Sequence, residues 1–551
     1  MMLLRFIQPY VHEVLRDMGV DADHPVIFEI PRQKDHGDLS TTVAMTLAKP
    51  LGRKPIDIAR DIVDRLKHVP LVENISIAGP GFINVTFAHG VFHAVLRDLV
   101  LEGDRIGRSA VGENLSVNVE YVSANPTGPL HAGHGRNCAI GDTIANLHDW
   151  CGYAVTREYY FNNAGNQMNK LGESIHARVL QALGQDVPFP EDGYHGEYIM
   201  DVANDIVANH LEEFNRTPFD DRHLFCRKKG EQWCFASIKN TLDRLNIHHN
   251  EYFNEDSLYA DGSIQQVIDA LREKHLVYEL DGALWFALTK LDPDNENVQD
   301  RVIVKSSGEP TYRLPDIAYH RNKLERGYDV LIDIFGADHI ATIPDVLAGI
   351  TALGYDASKI HTVIHQMVTF IEDGEVVKFS KRSGRSFTLD ELIDEVGADV
   401  VRFFFIMRGV GTHLDFDLNL AKEEGDKNPV FYLQYAHARI SSILRKANEQ
   451  GIRVDHDVSL SSLVHPSERD LIALLSRFQA TVERACANLE PLTIAEYLRD
   501  LAASYHQFYH DCKILGSEEA VQGARLVLAD VTRRAMKNGL AILGVQAPDT
   551  M

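Results

Sequence analysis

The chain has 551 residues, with 55 Lys and Arg against 79 Asp and Glu, and therefore a formal net charge of −24 at pH 7. A chain of this length exceeds what one hydrophobic core supports, so several domains are expected. It contains no apolar run of about eighteen residues, so no membrane span is expected. The net charge alone argues against a nucleic-acid partner, although a local basic face could still bind phosphates.

The charge is unevenly distributed along the chain. From Lys427 to Met551, 14 Lys and Arg balance 14 Asp and Glu, so the preceding residues carry the whole negative excess. The six cysteines form no C-x-x-C pair, which disfavours zinc sites and disulfide frameworks and fits a reducing compartment. The sequence therefore predicts a cytoplasmic protein without a tightly bound metal site.

The first hundred residues predict a compact α+β domain. In the segment PIDIARDIVDRL, Ile58, Ile62 and Leu66 recur at the spacing of one helical face. In NISIAGPGFINVTF, two alternating runs flank Gly79-Pro80-Gly81, a pattern typical of a β-hairpin.

From about Asn114 the pattern alternates between strands and helices. LSVNVEYVS, YAVTREYYFNNAG, DVLIDIFGADH and IHTVIHQMVTF read as strands, and IATIPDVLAGITALG reads as a helix that ends at Gly354. Such alternation indicates a parallel sheet with helices on both faces, and ligands bind at the carboxyl ends of its strands. Residues 168–250 are helix-rich and read as an insertion.

After about Asp390 the chain reads as almost wholly helical. In FYLQYAHARISSILRKA two different faces are expected, one with Leu433, His437, Ile440 and Leu444 and the other with Tyr435, Arg439, Ser442 and Lys446. The predicted fold class is an α/β Rossmann-type catalytic domain with a parallel sheet, an α+β N-terminal domain and an all-α C-terminal helical bundle. The predicted boundaries are 1–110, 111–390, a connecting stem at 391–426, and 427–551.

Two histidines lie on the turn between the first strand of the sheet and the next helix, in SANPTGPLHAGHGRN. A metal site is one interpretation of His131 and His134, but the glutamate of an H-E-x-x-H motif is missing and no third ligand is evident. A phosphate site is the other, because helix N-termini attract anions and imidazoles can donate hydrogen bonds. Gly133 and Gly135 would let a ligand approach the backbone closely.

A basic loop follows the last predicted strand, in EVVKFSKRSGRSFTL. Lys378, Ser380, Lys381 and Arg382 lie on it, and a solvated loop is the plain alternative reading of such charges. Only a doubly wound sheet would bring this loop to the histidine turn, which lies far away in the chain. Together the two segments predict a phosphate clamp.

These two motifs resemble a known pair. His131-Ala132-Gly133-His134 resembles the HIGH motif of class I aminoacyl-tRNA synthetases, and Lys378-Phe379-Ser380-Lys381-Arg382 resembles their KMSKS motif, with Phe379 for Met and Arg382 for the final Ser. Within that class the chain is similar to arginyl-tRNA synthetases over essentially its full length. The similarity is carried by VEYVSANPTGPLHAGHGRN, YYFNNAG, GYHGEYI, TYRLPDIAYH, GADH, QYAHARI, AGPGFIN and GLAILGVQAPDTM. Asn163 departs from the Asp that many relatives carry there.

The resemblance implies a two-step ligase reaction. ATP, with Mg²⁺ as its counter-ion, would activate L-arginine to arginyl-adenylate, which then passes to the 3′ end of tRNA(Arg) with release of AMP and pyrophosphate. The resemblance also implies that activation needs tRNA, and we expect a monomer that does not bind membranes. The implied residues are His131, His134, Lys378 and Lys381 for catalysis and Gly133, Gly135, His339 and Ser380 for ATP.

The resemblance also implies an arginine site and a tRNA site. Carboxylates match the parallel N–H donors of a guanidinium. The implied arginine-binding residues are Glu120, Asn125, Glu255, Tyr312 and Asp316. Tyr312 and Asp316 are four apart and would share a helical face. Each acidic residue could instead be solvated surface. Tyr435 and Arg439 are implied to bind tRNA, with core packing as the alternative for Tyr435.

Two rival functions stay open at this point. One is another adenylate-forming ligase of the H-x-G-H group, but a cysteinyl-type enzyme would need zinc ligands and smaller ligases lack so long a helical domain. The other is a non-catalytic, synthetase-like tRNA-binding protein, against which the intact His131, His134, Lys378 and Lys381 argue.

Overall fold

The structure is a computed structural model that describes residues 2–21, 24–31, 33–377 and 387–551. In these ranges no helix combines the length and the apolar character that crossing a membrane requires. The N-terminal elements form one α+β unit: α1 (Leu4–Asp17), β1 (Phe28–Glu29), β2 (Leu39–Thr41), α2 (Val43–Thr46), α3 (Ala48–Leu51), α4 (Pro55–Leu66), β3 (Val72–Ala78), β4 (Phe82–Phe87) and α5 (His89–Glu102).

Both N-terminal predictions are confirmed. Ile58, Ile62 and Leu66 of α4 are buried and pack toward the sheet. β3 and β4 pair antiparallel across the Gly79–Gly81 turn in a sheet of order β1-β2-β4-β3. Gly79 and Gly81 both have positive φ, which explains the choice of glycine on either side of the proline.

The central part of the chain builds the parallel sheet and its insertions. Its elements are β5 (Ser116–Glu120), α6 (His134–Trp150), β6 (Ala154–Phe161), α7 (Gly165–Ala182), α8 (Glu197–Asn209), α9 (Leu211–Arg216), α10 (Arg222–Arg244), β7 (Glu251–Asn254), α11 (Asp256–Ala260), α12 (Ser263–Glu273), β8 (Val277–Leu280), β9 (Ala283–Phe286), β10 (Arg301–Val304), α13 (Arg313–Glu325), β11 (Val330–Gly336), α14 (Ile343–Leu353), β12 (Ile360–His365), β13 (Val368–Glu372) and β14 (Glu375–Val376).

The sheet has the order β12-β11-β5-β6-β7, and each neighbouring pair is parallel. From β5 the chain proceeds outward in one direction through β6 and β7, whereas β11 and β12 extend in the other. The switch point therefore lies between β5 and β11, where a crevice opens at the carboxyl ends of the strands. Helix α14 ends as predicted, with Gly354 in the left-handed conformation at φ +97°.

The insertion has its own small core. Helices α7, α8 and α10 pack against one another around Met168, Leu171, Ile175 and Phe214. A second addition was not predicted: β8, β9 and β10 form an antiparallel sheet between α12 and α13.

Three strand predictions need correction. IHTVIHQMVTF is two strands, because β12 ends at His365 and β13 joins a different sheet with β14. LSVNVEYVS leaves the sheet after Glu120, since Val122 and Ser123 take positive φ values that no strand adopts. The chain after Asp390 also contains a strand, β15 (Leu414–Asp417), which pairs in parallel with β13.

The remaining elements are α15 (Leu389–Val396), α16 (Ala398–Ile406), α17 (Leu418–Lys422), α18 (Pro429–Glu449), α19 (Pro466–Leu475), α20 (Phe478–Ala487), α21 (Leu492–Asp511) and α22 (Glu519–Ile542). The predicted apolar face of α18 is confirmed: Leu433, His437 and Ile440 are buried, and Leu444 is partly buried. The N-terminal unit packs on this bundle through α5, where His93 Nε2 lies 2.8 Å from the Leu463 carbonyl oxygen.

Candidate active site

A cavity of about 460 Å³ opens at the carboxyl ends of β5 and β11. Residues that were predicted from separate parts of the chain line it together: Glu120, Asn125, Glu255, Tyr312, Asp316 and His339. Tyr312 and Asp316 do share one face at the start of α13, although Tyr312 is 78% exposed. The sheet topology therefore brings the predicted amino-acid site and the histidine beyond β11 into one crevice.

Four carboxylates line this cavity, those of Glu120, Glu255, Asp316 and Asp338, and the first two already have partners. Ser123 Oγ donates to Glu120 Oε1 at 2.9 Å, and the ammonium of Lys323 pairs with Glu120 Oε2. Tyr160 donates its hydroxyl to Glu255 Oε2 at 2.6 Å. Both carboxylates are thus held in fixed orientations by neighbouring side chains.

Asp316 differs, because no group in the described part of the chain hydrogen-bonds to its carboxylate. Burial, together with the negative charges of Glu120 and Glu255 and against an opposing contribution from His320, raises the pKa of Asp316 to about 7. An acidic side chain in this state would gain most from a bound cation. The cavity is therefore electrostatically prepared for a guanidinium or an ammonium group.

A strained turn joins β5 to the histidine segment. Val122 has φ +70° and Ser123 has φ +44°, and a β-branched residue rarely takes such values. Asn137 accepts the Val122 N–H at 2.6 Å, and the Tyr159 hydroxyl donates to the Ala124 carbonyl at 2.7 Å. Surrounding hydrogen bonds therefore fix a conformation that the local sequence disfavours, as is common at functional sites.

The two histidines of the turn lie against each other. Helix α6 begins at His134. The imidazole ring of His134 stacks on that of His131, with the ring centroids 3.6 Å apart. His134 Nδ1 accepts the backbone N–H of His131 at 3.2 Å, so the proton of the neutral ring is on Nε2. Burial lowers the pKa of His134 to about 3, helped by His131 and His365. His134 therefore acts as a neutral hydrogen-bond donor at physiological pH.

Gly133 and Gly135 have different reasons to be glycine. A Cβ on Gly135 would lie 2.3 Å from Phe405 Cε2, so this residue permits close packing of α6 against α16. A Cβ on Gly133 would lie 3.0 Å from two atoms of the His131 ring, so glycine here permits the close stacking of the turn. Contact of either glycine backbone with a ligand stays a prediction. A metal site was the other interpretation of His131 and His134. The described ranges contain no group of three or more potential metal ligands around a common point.

For the predicted basic loop, the structure describes only the chain on either side of it. Lys378, Phe379, Ser380, Lys381 and Arg382 lie outside the described residues. The chain that follows them pairs with the histidine segment: the Ala132 N–H donates to the Phe387 carbonyl at 2.9 Å, and the Leu389 N–H donates to the Leu130 carbonyl at 2.8 Å. This pairing supports the predicted approach of the two motifs.

Several residues of the site were missed. His365 ends β12, and its Nε2 lies 3.4 Å from the Asn137 amide nitrogen, close to the histidine turn. A histidine at the carboxyl end of a predicted parallel strand was a signal that could have found it. Tyr160 and Tyr319 line the cavity with ring centroids 4.5 Å apart.

The unusual Asn163 has a physical explanation in this chain. Its amide donates to Glu231 Oε1 of α10 at 2.8 Å. An aspartate at this position would place two carboxylates side by side, so the asparagine suits its glutamate neighbour.

The tRNA-binding residues predicted on α18 do not line this cavity and lie on the helical bundle. Tyr435 is 44% exposed, which rules out the core-packing alternative. The Arg439 guanidinium lies 4.2 Å from the ring centre of Tyr509 and 5.8 Å from that of Tyr435. Tyr509, on α21, was not predicted. It makes this surface a platform of two tyrosines with a cation on them.

Three family models match three successive parts of the chain. Residues 5–87 match the family model "Arginyl tRNA synthetase N terminal domain", residues 96–402 match "tRNA synthetases class I (R), catalytic domain", and residues 433–551 match "DALR anticodon binding domain". An arginine–tRNA ligase of Desulfotalea psychrophila is 47% identical over 527 residues, which cover 95% of this chain and 94% of the relative. The chain belongs to the arginyl-tRNA synthetase family.

Other relatives agree with this assignment. An arginine–tRNA ligase of Salinibacter ruber is 44% identical over 99% of this chain and its own full length. The structure of Thermus thermophilus arginyl-tRNA synthetase, at 23% identity, has the same fold, with a TM-score of 0.76 over 99% of this chain and 100% of that one. The chain is thus an ATP-using class I aminoacyl-tRNA synthetase, an arginine–tRNA ligase, and both rival functions are excluded. The exact domain boundaries given above stay predictions.

Proposed function

We propose that the cavity binds L-arginine with its guanidinium on Asp316 and Glu255 and its α-ammonium on Glu120. The carrying observation is that these three carboxylates line one cavity and that only Asp316 lacks a hydrogen-bonded partner in the described residues. Tyr312 closes the guanidinium end, and Asn125 lies at the α-amino end. A guanidinium fits such a site because its planar donors match carboxylates in pairs.

This orientation points the substrate carboxylate toward the histidine turn. There the carboxylate oxygen attacks the α-phosphorus of ATP, and the bond to pyrophosphate breaks. His131 and His134 donate hydrogen bonds to the phosphate as its charge develops, while Gly133 and His339 lie on the ATP side. Lys378, Ser380 and Lys381 bind the leaving pyrophosphate, and the ATP phosphates would carry Mg²⁺ as their counter-ion. Phosphoryl transfer asks the protein mainly for positioning and charge stabilisation.

In the second step a hydroxyl of the terminal adenosine of tRNA(Arg) attacks the arginyl carbonyl, and AMP leaves. Tyr435 and Arg439 bind bases of the tRNA at the far end of the molecule, since exposed aromatic rings stack on unpaired bases. The protein works as a cytoplasmic monomer, which light scattering behind gel filtration would test.

The decisive experiment is a charging assay with each of the twenty amino acids on total tRNA. Arginine alone should be attached, and arginine-dependent pyrophosphate exchange should appear only when tRNA is added. Attachment of a different amino acid would contradict the assigned pocket, and exchange without tRNA would contradict the tRNA requirement alone.

A further inference from the structure

Three carboxylates lie side by side across the sheet. Asp333 of β11 is in register with Glu120 of β5, which is in register with Glu158 of β6, so all three side chains leave the sheet on the same face. Each is nearly or fully buried. Like charges directly opposite each other destabilise a sheet, so this row requires cations.

Helix α13 and the residue after it supply those cations. The ammonium of Lys323, which is fully buried, contacts Glu120 Oε2, lies 2.6 Å from Asp333 Oδ1 and sits 4.4 Å from the ring centre of Tyr319. Arg326 donates to both oxygens of Glu158, at 2.7 and 2.8 Å. Lys323 bridges two carboxylates of the row and Arg326 binds the third, from positions three residues apart in the chain.

The two ion pairs differ in their position relative to the cavity. Glu120 lines the arginine cavity, whereas Glu158 is not among its lining residues. We propose that Lys323 is a positioning residue: it holds the carboxylate of Glu120 in the orientation in which Glu120 can bind the α-ammonium of arginine. This inference rests on the ammonium role proposed for Glu120 above.

The contacts around Glu120 explain why Lys323 is needed. Ser123 Oγ holds only Oε1, so without Lys323 the other oxygen would face the carboxylate of Asp333. A buried carboxylate in that situation turns away from its like-charged neighbour. That rotation removes an acceptor from the ammonium end of the cavity and leaves the contacts of Asp316 and Glu255 with the guanidinium in place.

The test uses Lys323→Met and two arginine analogues as competitive inhibitors of charging. Agmatine keeps the amine and lacks the carboxylate, whereas 5-guanidinopentanoate keeps the carboxylate and lacks the amine. For Lys323→Met we expect the arginine KM and the agmatine inhibition constant to rise about tenfold, because a charge-assisted hydrogen bond is lost. The inhibition constant of 5-guanidinopentanoate should not change.

Arg326→Met is the matched control, because it breaks the equivalent pair on Glu158 outside the cavity. It should lower Tm and leave the ratio of the two inhibition constants unchanged. Lys323→Arg, which keeps the charge, should restore the ratio. If Lys323→Met does not fold, Lys323→Gln removes the same charge while keeping a donor.

The outcomes distinguish the positioning role of Lys323 from the ammonium-binding role of Glu120, on which it rests. If Lys323→Met weakens both analogues equally, or neither, the positioning role is wrong. Glu120→Gln should shift the ratio in the same direction as Lys323→Met. If Glu120→Gln leaves the ratio unchanged, the ammonium role of Glu120 fails, and the inference fails with it.

Discussion

The cavity at the strand ends and the aromatic platform of the helical bundle present different kinds of side chain to their ligands. The cavity holds carboxylates whose orientations are fixed by neighbours, as Glu120 is by the buried Lys323. The platform presents Tyr435, Arg439 and Tyr509 at the surface. A small substrate in a reaction needs preorganised polar groups in a water-poor site, whereas unpaired bases bind well to exposed rings. Changes in the two regions should therefore affect different steps.

The largest effect is expected at the histidine turn. His134→Ala should lower kcat by roughly 10²–10³-fold with a much smaller rise in the arginine KM, because its neutral Nε2 donor acts mainly in the transition state. Pre-steady-state measurement of adenylate formation would check this. An activation rate equal to that of the unmodified enzyme would show that the ring is only a packing partner of His131.

The arginine end of the cavity comes next. Asp316→Asn should weaken arginine binding by on the order of 1.5–3 kcal/mol, because a charge-assisted pair becomes a neutral one. The ATP KM should not change, since Asp316 lies at the guanidinium end. Steady-state kinetics with each substrate varied in turn measures both values. An equal loss for ATP and arginine would move Asp316 out of the arginine site.

Sequence patterns located the crevice because the histidine turn follows β5, and ligands bind where parallel strands end. The apolar face of α18 was likewise readable from spacing alone. Resemblance to a family added Glu120, His339, Tyr312 and Asp316.

Other features depended on contacts that no local pattern encodes. Lys323 lies inside a helix rich in polar residues, so its burial between two carboxylates is visible only once α13 is placed on the sheet. Val122 belongs to an apolar alternating run, yet tertiary hydrogen bonds force it to positive φ. The packing role of Gly135 was likewise not encoded locally, because the side chain that a Cβ there would meet belongs to Phe405 of a distant helix.

The aromatic platform should respond in tRNA binding alone. Tyr435→Ala should raise the KM for tRNA by roughly 5- to 150-fold, the range for one lost base stack of about 1–3 kcal/mol, while kcat at saturating tRNA falls less. Because Tyr435 is exposed, the Tm should stay close to that of the unmodified enzyme. Thermal unfolding beside tRNA titration checks both, and a large drop in Tm with an unchanged tRNA KM would contradict the binding role.

The cavity, unlike the platform, should also depend on pH near neutrality. Since the pKa of Asp316 is about 7 in the free cavity, protonation below pH 7 removes the charge that binds the guanidinium. The arginine KM should rise by up to about tenfold per pH unit below 7. Asp316→Asn should remove this dependence, and the tRNA KM should not show it. A pH profile that survives in Asp316→Asn would assign the titration to another group.

The stability of the free enzyme should also depend on the ionisation of Asp316. Burial raises the pKa of Asp316 above its ordinary value in the folded state, so its contribution to stability is present in acid and is lost as the pH rises through 7. Arginine should therefore raise Tm more at pH 8 than at pH 6. The comparison with Asp316→Asn isolates this carboxyl from the histidines that titrate nearby.

The smallest effect is expected for Arg439, because its guanidinium already lies on the Tyr509 ring. Arg439→Ala should raise the tRNA KM by about two- to fivefold, the value of an exposed cation–π contact of about 0.5–1 kcal/mol. If Arg439 instead meets a phosphate, the loss should shrink as salt rises, and Arg439→Lys should restore binding because the charge is kept. If its planar stack on Tyr509 supports a base, lysine should fail to restore binding at any salt concentration. A salt titration of tRNA affinity for both variants distinguishes the two, and an unchanged affinity in Arg439→Ala would remove this residue from the platform.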